Sequence, residues 1–196
     1  ATLAAIADDI VVMPAPSYPL SDTEEAKDHA FGFVIPVATP GLRLIARPSV
    51  VHQNAGSPMD YPLSNRFDDS DCMVMFDNVL VPWERVFAHD HIDTARAIFY
   101  DTPSHTLGNA QAHIRLLPKL RLILGIIKKV AEENGIAQIP AVRETLYALG
   151  VRVAMVEGLI VAQEARPEEW PDGFVTQDRQ TMYATMSWTM EYYPEF

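Results

Sequence analysis

The sequence predicts an α+β fold, because a half rich in short strands is followed by a half rich in helices. Before Pro82, short apolar runs alternate with Pro and Gly turns; after Pro82, apolar residues recur at helical spacing. Short strands joined by tight turns are typical of an antiparallel sheet or a small barrel. We therefore expect two domains, a β-domain over residues 1–82 and a helical bundle over residues 83–196.

The predicted strands are rich in β-branched, aromatic or alternating apolar residues. They are bounded by Gly, Pro, Asn or Asp, the residue types that terminate strands. The acidic segment 21–28 lacks this pattern and is expected to be a surface loop. The predicted strands are 10–13, 31–37, 42–46, 73–76 and 79–81.

Helices are predicted over 92–100, 105–134, 141–164 and 177–192. Ser104 is the expected N-cap of the second helix, and Asn134 with Gly135 is its expected end. Pro118 lies inside that helix and is expected to kink or split it, because proline removes a backbone donor. The last helix is rich in Met and aromatic residues, which suits a core or a subunit interface.

Composition argues against several functional classes. The chain of 196 residues has a formal net charge of −11, and an acidic chain repels phosphate, so we expect no nucleic-acid partner. The one cysteine, Cys72, allows neither a disulfide within the chain nor a metal site built from cysteines alone. This usage suits a reducing compartment such as the cytoplasm. No run of about eighteen apolar residues occurs, so no transmembrane helix and no membrane partner are expected.

Common catalytic motifs are absent, and His105, at the start of a long predicted helix, is the strongest candidate for chemistry. The partial positive charge of a helix N-terminus favours a neutral imidazole, which a general base requires. Gly108 would let a flat ligand approach the helix backbone, and Asn109 and Gln111 could donate to its carbonyl oxygens. The alternative is a histidine that only caps or packs.

The remaining polar groups favour structural roles. His89 and His91 are expected to be solvated loop histidines rather than metal ligands, and His113 is expected on a helix face or at an interface. An acidic cluster is expected to be a salt-bridged turn, with a charged site as the alternative. That cluster comprises Arg66, Asp68, Asp69 and Asp71.

Two stretches resemble the oxygenase component of 4-hydroxyphenylacetate 3-monooxygenases. They are SPMDYPLSNRFD at 57–68 and FDNVLVPWERVF at 76–87, and GLRLIAR at 41–47 and LLPKL at 116–120 extend the match. The stretch HTLGNAQ at 105–111 is similar to the branch of chlorophenol and phenol hydroxylases. The resemblance implies a flavin-dependent two-component monooxygenase family.

This resemblance implies an acyl-CoA-dehydrogenase-like fold, with a helical N-terminal domain, a middle antiparallel β-domain and a C-terminal helical bundle. The chain would then begin inside the β-domain and end inside the bundle. The family's N-terminal domain, which contributes to the substrate pocket, would lie outside this sequence. The resemblance also implies a homotetramer.

The chemistry that the resemblance implies is hydroxylation of a phenol through a flavin C4a-hydroperoxide. Reduced FAD would come from a separate flavin reductase, and O2 would be the oxidant. His105 would be the catalytic base that removes the phenolic proton, by its match to the chlorophenol branch. Thr2 resembles the start of the β-domain loop that contacts flavin in the family, and with Gly108, Asn109 and Gln111 of the predicted helix start it would form the cofactor-binding set; no metal would be needed.

Three alternatives remain open at this point. A 4-hydroxybutyryl-CoA dehydratase-like lyase needs an iron–sulfur cluster held by cysteines and a histidine, and Cys72 alone argues against it. The stretch DYPLSNRFD at 60–68 argues against an acyl-CoA dehydrogenase. A non-catalytic remnant that acts as an assembly module is the third alternative.

Overall fold

The computed structural model describes residues 3–15, 24–49, 59–67 and 71–195. The chain divides into two compact units, Ala1–Ile98 and Phe99–Phe196. The division of the protein into domains after Pro82 stays a prediction.

The first unit contains two antiparallel sheets. Strand β2 (Phe31–Pro36) lies between β1 (Asp9–Val12) and β5 (Val86–His89), and β3 (Leu42–Ala46) pairs with β4 (Cys72–Phe76). A single helical turn, α1 (Glu24–Lys27), precedes β2, and α2 (Ile92–Tyr100) follows β5. The expected loop over 21–28 therefore includes a helical turn.

Apolar burial holds β2, β5 and α2 together. Ala30, Ala88 and Ala95 form a buried cluster against which Ile92 and Ile98 pack. Small residues at these positions let the helix approach the sheet closely.

The predicted strand over 79–81 is wrong. The chain leaves β4 after Phe76, where the Asp77 backbone N–H donates to the Gly41 carbonyl at 2.9 Å, and Asn78 turns the chain at φ +53°. Pro82 then lacks the N–H that a paired strand would need. The strand that completes the sheet is β5, which follows the 3₁₀ turn Trp83–Arg85.

The second unit is a helical bundle of α3 (Pro103–Glu133), α4 (Pro140–Ala165) and α5 (Arg179–Tyr192). A short hairpin of β6 (Glu168–Glu169) and β7 (Val175–Thr176) connects the last two helices. The bundle core is formed by Leu120, Val153 and Val156. The residues that pack around this core are Leu116, Leu117, Leu124, Ile160 and Trp188.

The ends of α3 explain one correction to the sequence analysis. The N-cap is Thr102 rather than Ser104, because the Thr102 hydroxyl accepts the Ser104 backbone N–H at 3.3 Å. The helix continues through Pro118 without a break, so of the two expected outcomes a split is wrong. It ends at Asn134, and Gly135 follows with φ +70°, the left-handed conformation of a C-terminal glycine.

Helix α4 has the length and apolar composition of a membrane-spanning segment, although interspersed charges keep it free of a long apolar run. Only 17% of its most apolar 18-residue window is buried within the chain. Buried core helices meet the same criterion of length and composition. The outward face of α4 therefore carries apolar surface that this chain alone does not cover.

Candidate active site

His105 lies in the first turn of α3, on a well-fixed segment of backbone. Pro103 occupies the start of the helix, where its missing N–H costs nothing. The side-chain amide of Asn109 donates to the His105 backbone oxygen at 2.8 Å. The N-cap of the helix, the proline and this side-chain hydrogen bond together fix the backbone from which the imidazole projects.

Three aromatic rings surround the imidazole of His105. Phe99 lies edge-on at 4.8 Å between ring centroids, and Tyr100 and Tyr183 each lie at 5.2 Å. His105 is only 8% exposed. This burial lowers its pKa below the ordinary value of 6.5, because the imidazolium would lose hydration. The imidazole is therefore neutral at pH 7, as a general base must be.

One nitrogen of His105 is engaged and the other is not. The hydroxyl of Tyr183, on α5, lies 3.0 Å from Nδ1. Within the described part of the chain, no group forms a hydrogen bond with Nε2. The ring is thus anchored through Nδ1, and Nε2 can exchange a proton with a ligand.

The residues predicted to bind the cofactor fall on different faces of α3. Gly108 and Asn109 follow His105 by three and four residues and so share its side of the helix, whereas Gln111 points away. Gly108 and Gln111 are exposed, and a Cβ added at Gly108 would meet no atom within 4 Å. Thr2 lies outside the described residues. The cofactor role of all four residues stays a prediction.

Asn109 is already committed to an intrachain bond. Its amide nitrogen binds the His105 carbonyl, so the expected donation to a ligand would compete with that bond. Its amide oxygen has no partner within the described residues. Asn109 is better suited to accept a hydrogen bond than to donate one.

The sequence analysis did not anticipate a buried polar network two turns along α3. His113 is 4% exposed, and its Nδ1 lies 3.5 Å from the amide nitrogen of Gln163 on α4. The same amide donates to the hydroxyl of Thr185 on α5 at 2.9 Å. Burial lowers the pKa of His113, and the bond from Gln163 partly opposes this. The network cross-links the three helices behind His105.

The other polar candidates do not converge on a site. His89 lies 3.2 Å from the carboxylate of Asp90, and the Nδ1 of His91 accepts the backbone N–H of Thr94. Asp68 and Asp69 lie outside the described residues, so the predicted cluster around Arg66 stays a prediction. Among residues 3–15, 24–49, 59–67 and 71–195, no group of three or more His, Cys, Asp or Glu could hold a metal ion.

Comparison with known protein families decides the relationship. The family model "4-hydroxyphenylacetate 3-hydroxylase N terminal" matches residues 1–88, and "4-hydroxyphenylacetate 3-hydroxylase C terminal" matches residues 95–196. The chain belongs to the 4-hydroxyphenylacetate 3-hydroxylase family. The resemblance inferred from the sequence is therefore confirmed.

The relatives of this 4-hydroxyphenylacetate 3-hydroxylase family chain include several monooxygenases. A 4-nitrophenol 2-monooxygenase oxygenase component from Rhodococcus sp. is 39% identical over 76% of this chain and 29% of its own. The pyoverdin chromophore biosynthetic protein PvcC of Pseudomonas aeruginosa is 34% identical over 86% of this chain and 33% of its own. This chain thus spans about a third of the length of these relatives.

Solved structures confirm the predicted fold class. The oxygenase component HpaB of 4-hydroxyphenylacetate 3-monooxygenase, in complex with FAD and 4-hydroxyphenylacetate, matches with a TM-score of 0.82 and 27% identity. The match covers 95% of this chain and 38% of HpaB. An archaeal 4-hydroxybutyryl-CoA dehydratase matches with a TM-score of 0.73 at 18% identity, which shows a shared fold only. The α+β, acyl-CoA-dehydrogenase-like class is confirmed.

Proposed function

We propose that the protein is the oxygenase component of a two-component, FAD-dependent monooxygenase that hydroxylates a phenolic substrate. The observation that carries this proposal is a neutral, anchored histidine in a chain that aligns over 95% of its length with an FAD- and phenol-bound oxygenase. The partners would be a flavin reductase, a small phenol and O2. The phenol could be 4-hydroxyphenylacetate, a nitrophenol or a chlorophenol.

His105 would act as the general base. A phenolate ring is far more electron-rich than a phenol ring, so removing the phenolic proton prepares the ring to attack an electrophilic oxygen. Nε2 is the available acceptor, since Nδ1 is bound to Tyr183. A positioned base of this kind contributes a rate factor of about 10²–10⁴. The lowered pKa of His105 favours the neutral ring, which has one nitrogen free to accept a proton.

The first two turns of α3 fit a flat cofactor. Gly108 leaves an open surface on the His105 side of the helix, and Asn109 offers its amide oxygen. Bound reduced FAD would supply the activation of O2. Phe99 and Tyr100 line one side of His105 with apolar surface, which limits water near the base.

The protein would work as a homotetramer in the cytoplasm. The apolar residues Val151, Met155 and Val161 of α4 are 59%, 44% and 58% exposed, and a second copy would cover them. Such burial is the usual driving force for stable association. Light scattering of the purified protein should give four times the chain mass. A monomer that partitions into liposomes would instead assign α4 to a membrane.

The experiment that tests the function supplies the protein with reduced FAD, O2 and a panel of phenols. The panel contains 4-hydroxyphenylacetate, 4-nitrophenol and a chlorophenol, and both hydroxylated product and O2 consumption are measured. The proposal predicts a catechol or hydroquinone product from at least one phenol. Binding of reduced FAD without any product would support the assembly-module alternative.

The His105→Ala variant tests the base in the same assay. We expect O2 consumption to continue while product per O2 falls about tenfold or more, because the phenol is no longer deprotonated in place. The exposed His29 supplies a matched control, and His29→Ala should leave the ratio unchanged. An unchanged ratio in His105→Ala would refute the assignment.

A further inference from the structure

We propose that Tyr183 is a positioning residue that holds His105 in the tautomer with its proton on Nδ1, so that Nε2 carries the lone pair. The catalytic consequence of this inference rests on the proposed function, whereas the contact between Tyr183 and His105 does not. The pair joins the first turn of α3 to the first turns of α5, across 78 residues of sequence. Nothing in the local sequence around either residue requires the other.

The direction of the hydrogen bond decides what His105 can do. If the tyrosine hydroxyl donated to Nδ1, the proton would lie on Nε2, and His105 would be a donor rather than a base. If Nδ1–H donates to the tyrosine oxygen, Nε2 is free to accept a proton. The two arrangements have the same heavy-atom positions but opposite chemistry.

Two observations favour donation from His105 to Tyr183. Tyr183 is 40% exposed, so its own hydroxyl hydrogen can bond to water while its oxygen accepts from Nδ1. His105 is nearly buried and, within the described part of the chain, Nε2 has no protein acceptor. An N–H at Nε2 would therefore have no protein acceptor among the described residues, whereas an N–H at Nδ1 has the Tyr183 oxygen as its acceptor. The 3.0 Å separation is also the usual length of an N–H···O bond.

This arrangement survives proton transfer without rearrangement. In the neutral ring Nδ1–H donates to Tyr183, and after Nε2 accepts a proton the same Nδ1–H still donates to the same oxygen. A tyrosine is neutral, so it orients the ring without stabilising the imidazolium as a carboxylate would. Tyr183 can thus orient the base without making it a cation at neutral pH.

The test is a nitrogen-15 NMR measurement of ring tautomers in the purified protein at mildly alkaline pH. The proposal predicts that the nitrogen-15 shifts of His105 show a protonated Nδ1 and an unprotonated Nε2. In Tyr183→Phe the ring contact remains and only the hydroxyl is removed, so the proton should move toward Nε2, the tautomer that free histidine prefers. A wild-type spectrum with the proton already on Nε2 would overturn the proposal.

His113 provides an internal control in the same spectra. Gln163 donates toward its Nδ1, so His113 should have its proton on Nε2, and Tyr183→Phe should not change this. A changed His113 signal would reveal a disturbed bundle. If the variant does not fold, the wild-type spectrum alone decides between the two tautomers.

Measurements of activity distinguish failure of the positioning role of Tyr183 from failure of the proposed function. If the protein hydroxylates a phenol, Tyr183→Phe should lower product per O2 consumed several-fold while the affinity for reduced FAD stays unchanged. If no phenol is hydroxylated but the NMR result holds, the function is wrong and the positioning role stands. If hydroxylation occurs and coupling in Tyr183→Phe equals that of the wild type, Tyr183 does not position the base.

Discussion

The buried bond between Gln163 and Thr185 allows a quantitative test of the bundle. Thr185 is fully buried, and its hydroxyl accepts from the Gln163 amide at 2.9 Å and donates to the Thr181 carbonyl at 2.7 Å. Thr185→Val keeps the shape of the side chain but removes the acceptor. A Gln163 N–H is then left buried without its partner. Thr106 offers a matched control because it is 1% exposed and its hydroxyl has no partner within the described residues.

The expected cost follows from what each substitution leaves behind. Thr185→Val should lower the free energy of unfolding by about 1–3 kcal/mol, the penalty of an unsatisfied buried donor. Thr106→Val breaks no bond, so it should be neutral or slightly stabilising. Replacing both partners, in Gln163→Leu with Thr185→Val, should cost less than the sum of the two single changes. The loss of stability that remains in the double variant comes from His113, because its Nδ1 then has no donor from Gln163.

Urea unfolding followed by far-UV circular dichroism measures these differences. The three long helices all lie in Phe99–Phe196, so loss of the helical signal reports that unit. A lower midpoint with an unchanged slope indicates lost stability rather than a changed unfolded state. Equal costs for Thr185→Val and Thr106→Val, or strict additivity in the double variant, would refute the bond.

Five further substitutions test other features of the structure. Burial lowers the pKa of His113, so the contribution of its neutral imidazole to folding stability is fully present above about pH 6.5. This contribution is lost as the pH falls toward the folded-state pKa. His113→Gln should therefore make the urea midpoint depend less on pH over this range. Met182→Ala should cost about 2–5 kcal/mol because Met182 is fully buried, whereas Met190→Ala, at 72% exposure, should cost little in the monomer. Gly41→Ala should lower the thermal midpoint, because Gly41 has φ +88° and an added Cβ would collide with the backbone. Gly108→Ala should keep or raise the thermal midpoint, because alanine favours a helix. The same Gly108→Ala change should weaken the affinity for reduced FAD, as measured by calorimetry.

Local sequence signals predicted most of the fold. The strand over 42–46 and the helix over 92–100 coincide with β3 and α2, because turn residues bound each element on both sides. The strand over 79–81 failed because its apolar residues resemble a strand while the Asn78 turn and Pro82 prevent pairing. The true edge strand, β5, is defined by its pairing with β2, a contact that local pattern does not encode.

The candidate site was only partly visible in the sequence. His105 stood out because a histidine follows a cap and a proline at the start of a long apolar helix. Tyr183 lies in the last helix, whose Met and aromatic residues indicated only a core or a subunit interface, because its contact with His105 depends on how α5 packs against α3. His113 follows His105 at helical spacing of eight residues, and this periodicity was the available signal for its burial.

The most direct test of the central claim is the origin of the oxygen atom in the product. The purified protein would be given enzymatically reduced FAD, a phenol and oxygen-18-labelled O2, and the product would be weighed by mass spectrometry. The account predicts a hydroxylated phenol that contains one oxygen-18 atom in the wild type and far less of it per O2 consumed in His105→Ala. A hydroxylated product without the label, or labelled hydrogen peroxide as the only oxygen product with every phenol, would contradict it.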